Sequence, residues 1–184
     1  MAVPLGERGE VGQDSVVLVP AHAAASLMRD LRLRHDPSAN AGMPPHITLM
    51  FPFLPPQDLN EVNVGGLQEL VRRMKPFEFE LSRVNEFEPG VVYLEPEPAE
   101  PFERLTRDIG ARFGLLPFAG EFGDSPVVHL TLTMPPSRMT LQKVAARLEG
   151  VLPVRILAEE VWLMVGSNSS TWTTVRSIRF EGLG

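Results

Sequence analysis

The sequence predicts an α+β fold of two related lobes that set a pair of histidine-bearing strands side by side. Three observations carry this expectation. The phrase histidine, apolar residue, threonine, leucine occurs twice, as His46-Ile47-Thr48-Leu49 and His129-Leu130-Thr131-Leu132, with the histidines 83 positions apart. From each histidine the chain reads strand, helix, strand, strand. Finally, 18 prolines and 15 glycines favour short elements joined by tight turns.

Composition narrows the class. A chain of 184 residues can build a full core, and one domain over residues 1–184, with its core in about 15–180, is the expectation. Hydrophobic residues make up 43% and charged residues 22%, as in ordinary globular proteins. With no cysteine there is no disulfide scaffold, thiol nucleophile or thiolate metal site. No apolar run is long enough to span a bilayer, and Met1–Glu10 carries two glutamates where a signal peptide needs an apolar centre. A cytoplasmic, monomeric protein with no membrane partner is expected. The net charge of −6 argues against a broad phosphate-backbone footprint such as DNA binding requires, while leaving room for a small phosphorylated ligand or an RNA end.

The elements follow in order. Residues 1–13 read as a loose lead-in, and Ser15–Val19 as a buried strand ended by Pro20. Residues 21–33 fit a helix with Ala23, Leu27 and Leu31 inward, and 36–42 read as a loop. Pro44 and Pro45 disfavour helix before His46, so His46–Met50 is a strand. A helix over about 57–75 presents Leu59, Val62, Leu67, Leu70, Val71 and Met74, weakened by Gly65-Gly66. Phe77, Phe79 and Leu81 alternate with polar residues as in a strand with one wet face, Glu88-Pro89-Gly90 turns the chain, and Val91–Leu94 returns. A loop over 96–101 leads to a helix at 101–113 with proline in its first turn. After a loop at 118–126, Val127–Thr133 is the strand carrying the second histidine. Ser137–Glu149 is helical up to Gly150, and Val154–Leu157, Glu160–Val165 and Thr171–Phe180 are strands, the last two joined through Ser167–Ser170.

In this reading Phe77–Leu81 corresponds to Val154–Leu157, and Val91–Leu94 to Val161–Met164. Each half exposes an apolar face the other can cover, which sets the histidine strands side by side. Alternation puts His46 with Thr48, and His129 with Thr131, on one face, while the intervening apolar residues anchor the strand. Two imidazoles flanking one phosphorus suit general acid–base chemistry: one takes the proton of an attacking water and the other donates to the leaving oxygen. Histidine fits both tasks because its ordinary pKa is about 6.5. The threonine hydroxyls can donate to phosphate oxygens as charge builds.

These two motifs, their spacing, and the flanking Pro44-Pro45 and Phe51-Pro52-Phe53 resemble the 2H phosphoesterase superfamily, in its bacterial 2'-5' RNA ligase-like branch. The resemblance covers roughly Ser15 to Phe180. It implies a pseudo-two-fold LigT-like fold, with antiparallel sheets lining a central cleft and helices outside, and His46 and His129 as acid and base, without specifying which is which. Thr48 and Thr131 would bind phosphate. It further implies no cofactor or metal, and hydrolysis of a 2',3'-cyclic phosphate on a small nucleotide or RNA terminus to a 2'-phosphomonoester. The alternatives are a binding module without turnover, and a 2'-5' ligase-type reverse reaction.

Beyond the motifs, Phe51 and Phe122 are candidates to stack on a base because they lie in loops beside the histidine strands. Arg138 follows the second motif. Arg176 and Arg179 lie on opposite faces of the last strand, so at most one can serve a shared pocket, and Arg138 and Arg176 are the candidate substrate cations. A metal site would need a third ligand beside the two histidines; His22 and His35, in or near the first helix, supply no evident cluster.

Overall fold

The computed structural model describes residues 12–87, 90–123 and 125–183. Its strands are β1 (Asp14–Pro20), β2 (His46–Met50), β3 (Phe77–Phe87), β4 (Val91–Glu97), β5 (Leu130–Thr133), β6 (Val154–Ala158), β7 (Glu160–Ser167) and β8 (Ser170–Arg179). They form two four-stranded sheets in the orders β2-β1-β7-β8 and β5-β4-β3-β6, with antiparallel pairing throughout. The helices are α1 (Ala25–His35), the single turn α2 (Pro37–Asn40), α3 (Glu61–Arg72), α4 (Glu100–Phe113) and α5 (Leu141–Arg147).

Each motif strand is the edge of its sheet, and each is covered by a helix from the opposite half. Helix α1 follows β1 of the first sheet yet packs on β5, while α4 follows β4 of the second sheet and packs on β2. This exchange joins the halves through one continuous apolar core, in which Ile47 and Leu49 meet Leu130, Leu132, Met28, Phe102 and Ile109.

The pairing changes the expected repeat. Phe77–Phe87 and Val154–Ala158 are hydrogen-bonded neighbours in one sheet, not equivalents. By position, Asp14–Pro20 corresponds to Val91–Glu97, since each lies beside a motif strand; Glu160–Ser167 then corresponds to Phe77–Phe87, and Ser170–Arg179 to Val154–Ala158. Reading strands in chain order misses this, because β6 joins the second sheet while β7 and β8 complete the first.

Most element boundaries agree with the sequence reading, and the departures have local causes. Strand β3 runs six residues beyond Leu81 because a bulge between Leu81 and Arg83 shifts the alternation, so that Val84 faces inward. The α1 stripe is rotated: Met28, Leu31 and Arg32 are buried while Leu27 is half exposed. Val62 likewise points to solvent, leaving Val64, Leu67 and Val71 to pack. Residues 36–42 are not plain loop, for Asp36 caps α2 by accepting from the Ser38 N–H. Helix α5 starts at Leu141, where the Thr140 hydroxyl caps it, and not at Ser137. The lead-in over 1–11 and most of the 88–90 turn lie outside the described residues.

Candidate active site

His46 opens β2 and His129 directly precedes β5, so each imidazole sits at the N-terminal end of its edge strand. The second motif was expected wholly within a strand; ladder pairing begins only at Leu130. Alternation nevertheless holds, with Ile47, Leu49, Leu130 and Leu132 buried and His46, Thr48, His129 and Thr131 partly open. Apolar anchors on one face and polar groups on the other are what one-sided burial of an edge strand requires.

The two imidazoles are held in the same way. His46 Nδ1 lies 2.7 Å from the Pro44 carbonyl, and His129 Nδ1 lies 2.8 Å from the Val127 carbonyl, in each case two residues back. A carbonyl only accepts, so Nδ1 carries the proton and donates. Nε2 of each ring is then left with its lone pair and has no hydrogen-bond partner among the described residues. The arrangement fixes the tautomer and ring plane while keeping one nitrogen of each ring for chemistry.

Both rings are biased toward neutrality. Burial, the nearby Arg32 guanidinium and His129 together lower His46 to about 4, against the opposing effects of the Pro44 carbonyl and Asp36. Burial lowers His129 too, opposed by its bond to Val127. The effect of His129 on His46 agrees with the contact between β2 and β5.

Around His129 the walls are aromatic. Phe87 and Tyr93 stack at 4.0 Å and approach the imidazole at 5.1 and 5.4 Å. The Phe118 ring lies nearly parallel to it at 6.3 Å. Phe118 is held there at a cost: it and Ala119 both have φ of 52°, left-handed for non-glycine residues, in a turn whose Phe118 N–H donates to the Phe51 carbonyl at 2.6 Å. A cavity of about 480 Å³ opens beside these groups. Thr48 and His129 line one part of it, and Glu103, Thr106 and Arg107 of α4 another. On the first sheet, cross-strand pairing puts Leu18 and Trp162 on the same face as Thr48.

Residues 19–169 match the 2'-5' RNA ligase superfamily. The chain belongs to that superfamily. It is 33% identical over 123 residues to a protein of Bacillus licheniformis described as a candidate phosphoesterase, covering 64% of this chain and 68% of the relative. A Bacillus cytotoxicus protein of the same description is 30% identical over 119 residues, with 64% and 66% covered. Among solved structures, E. coli LigT complexed with NADP+ superposes with a TM-score of 0.59 at 17% identity, covering 93% of this chain and 99% of LigT. A protein of Thermus thermophilus gives a TM-score of 0.58 at 19% identity, covering 95% and 100%. The α+β architecture of two antiparallel sheets with flanking helices is thus the LigT fold.

Within this superfamily member the remaining candidate residues separate. Phe51 packs edge-on against Trp172 at 6.3 Å, and its carbonyl accepts from the Phe118 N–H. Phe122 is exposed and meets Phe118 at 5.6 Å, forming an outer tier of the aromatic wall. Arg138 is exposed in the segment between β5 and α5 and is not among the cavity-lining residues. Arg176 must be corrected: it pairs with core residue Leu163 across β7 and β8, and lines a separate cavity of about 320 Å³ with Asn60, Glu61 and Gln68. A β-bulge at Leu163/Met164 turns it to the α3 side of the sheet, away from the face bearing Thr48. His22 meets Glu160 at 3.1 Å and His35 meets Ser137 at 3.1 Å, so both have structural partners. Among the described residues no three His, Cys, Asp or Glu side chains converge as a metal site, and no helix is long and apolar enough to cross a membrane.

Two features of the site lie beyond the motifs: Arg107 in the cavity wall, and the buried Arg32–Asp36 pair beside His46. Only the second left a signal, an i, i+4 Arg–Asp spacing at the end of a helix.

Proposed function

We propose that this chain opens a 2',3'-cyclic phosphate, on a small nucleotide or an RNA terminus, to a 2'-phosphomonoester by paired-histidine catalysis. The observation that carries the reading is the matched anchoring of His46 and His129 through Nδ1, at 2.7 and 2.8 Å, which reserves both Nε2 atoms for proton transfer. One Nε2 accepts the proton of a water as its oxygen bonds to phosphorus. The bond from phosphorus to O3' breaks, and the other ring, protonated, donates to that oxygen. The 2'-ester bond is retained. Thr48 and Thr131 donate to the non-bridging oxygens where negative charge builds. The anionic ester brings the charge that favours protonation of one imidazole on binding.

Membership in a superfamily with phosphoesterase-described relatives supports this reading, as do the complexes of E. coli LigT with 3'-AMP and with phosphate. The proton-transfer and donor groups are supplied by side chains, so the reaction is metal-independent. Turnover of 2',3'-cyclic nucleotides should therefore persist in EDTA, with a bell-shaped pH profile. His46→Ala and His129→Ala should each lower kcat by about 10²–10⁴-fold while circular dichroism is unchanged. Undiminished turnover in both variants would refute it. Tight binding of a nucleoside 2'-phosphate without hydrolysis of any cyclic nucleotide would assign the site to binding alone.

A further inference from the structure

The His46 side of the site contains a buried ion pair that has no counterpart beside His129 among the described residues. Arg32 and Asp36, both almost fully buried, close the end of α1. Arg32 donates from Nε and Nη2 to Asp36 Oδ2, at 3.1 and 2.6 Å. Its Nη1 reaches the Met43 carbonyl at 3.1 Å and its Nη2 also reaches Ser38 Oγ at 3.3 Å. Asp36 Oδ1 accepts from Ser38 N and Oγ at 3.0 and 2.7 Å. The network thus grips both ends of the segment from Asp36 to Met43.

That segment delivers the anchor of His46. Met43 precedes Pro44, whose carbonyl receives the imidazole Nδ1–H, and the Pro45 carbonyl is fixed in turn by the Ala21 N–H at 2.8 Å. On the other side, the Val127 carbonyl that anchors His129 belongs to a half-exposed residue, and the ring is held by aromatic walls. A buried ion pair contributes little net stability, since desolvation offsets most of the attraction. Its two distinctive effects here are local: it fixes where the Pro44 carbonyl sits, and it sets a cation near His46. The ionisable groups acting on His46 are Arg32 at the end of α1, Asp36 at the start of α2, and His129 ahead of β5. Of the paired charges, Arg32 has the larger effect on the ring.

We propose that Arg32 is a positioning residue for His46: clamped by Asp36 and bonded to the Met43 carbonyl, it holds the loop whose Pro44 carbonyl orients the imidazole. The inference rests on the phosphodiesterase reading of this site.

The test replaces the pair as a unit, Arg32→Met with Asp36→Leu, so that no lone charge is buried, alongside the charge-retaining Arg32→Lys. Proton NMR titration of the imidazole Hε1 signals reads both histidines, and kcat and KM for a 2',3'-cyclic nucleotide are followed against pH. In the double variant the His46 midpoint should rise only part of the way from about 4, because burial, the largest cause of the lowering, remains and the opposing effect of Asp36 is lost with that of Arg32, while His129 stays in place. The limb of the pH profile that His46 sets should move with it, and kcat should fall by up to about 100-fold with KM little changed. Arg32→Lys should keep the low midpoint and recover part of kcat. An unchanged kcat in the folded double variant, or an Arg32→Lys variant as impaired as the double variant, overturns the proposal. Movement of His46 in a protein that turns over no cyclic nucleotide supports the positioning role and refutes the phosphodiesterase reading.

Discussion

Holding His46 neutral makes the fold sensitive to mild acid. In the folded chain burial and Arg32 lower His46 to about 4, whereas in the unfolded chain the ring returns to about 6.5. As pH falls, the unfolded chain therefore takes up the proton first. The contribution of the neutral ring is complete above about pH 7 and is lost progressively as pH drops toward the folded midpoint. Proton uptake at these two midpoints gives a loss of about 2 kcal/mol at about pH 5 and about 3 kcal/mol at about pH 4. These are upper bounds, because part of the ring reaches solvent. Urea unfolding of the parent and of His46→Asn at about pH 7 and about pH 5 isolates the effect, because groups common to both proteins cancel. The parent should lose up to about 2 kcal/mol more than the variant between the two conditions. Equal losses in the two proteins would refute the claim that folding depresses His46.

Two further substitutions probe the wall of the site. Gly110→Ala would put a Cβ 2.8 Å from the Leu115 carbonyl oxygen, a backbone atom that cannot swing aside, so thermal unfolding should show a loss of about 1–3 kcal/mol. Phe118→Gly removes the ring stacked on His129 and relieves a left-handed backbone worth about 1–2 kcal/mol. The relief should offset much of the lost packing, giving a Tm shift of a few degrees at most, while kcat falls by about tenfold or more. Loss of stability with full turnover would show that Phe118 serves the fold and not the site.

Periodicity and repetition are written locally in the chain, and the features of this protein that depend on them were legible there. The motif His-x-Thr-x, written twice with buried residues at Ile47, Leu49, Leu130 and Leu132, established two one-sided strands, and the spacing of apolar residues located most helices. The superfamily was legible for the same reason, because the motif strands and their flanks are local. Everything set by where separate segments meet required the tertiary structure. Which strand lies beside which depended on sheet pairing, and this reversed the expected correspondence of β3 with β6. The bulges at Leu81/Arg83 and Leu163/Met164 shifted alternation by one residue, extending β3 and turning Arg176 away from the histidine face. The choice of Phe118 over Phe51 as the ring on His129 came from a left-handed turn that no residue preference announces. Arg32 is the buried neighbour of His46 because α1 is rotated so that its last turn packs inward, which the sequence does not announce. Local preference selects elements; only the packing of distant segments decides which side chains share a site, and that is why the paired histidines were legible while the groups that tune them were not.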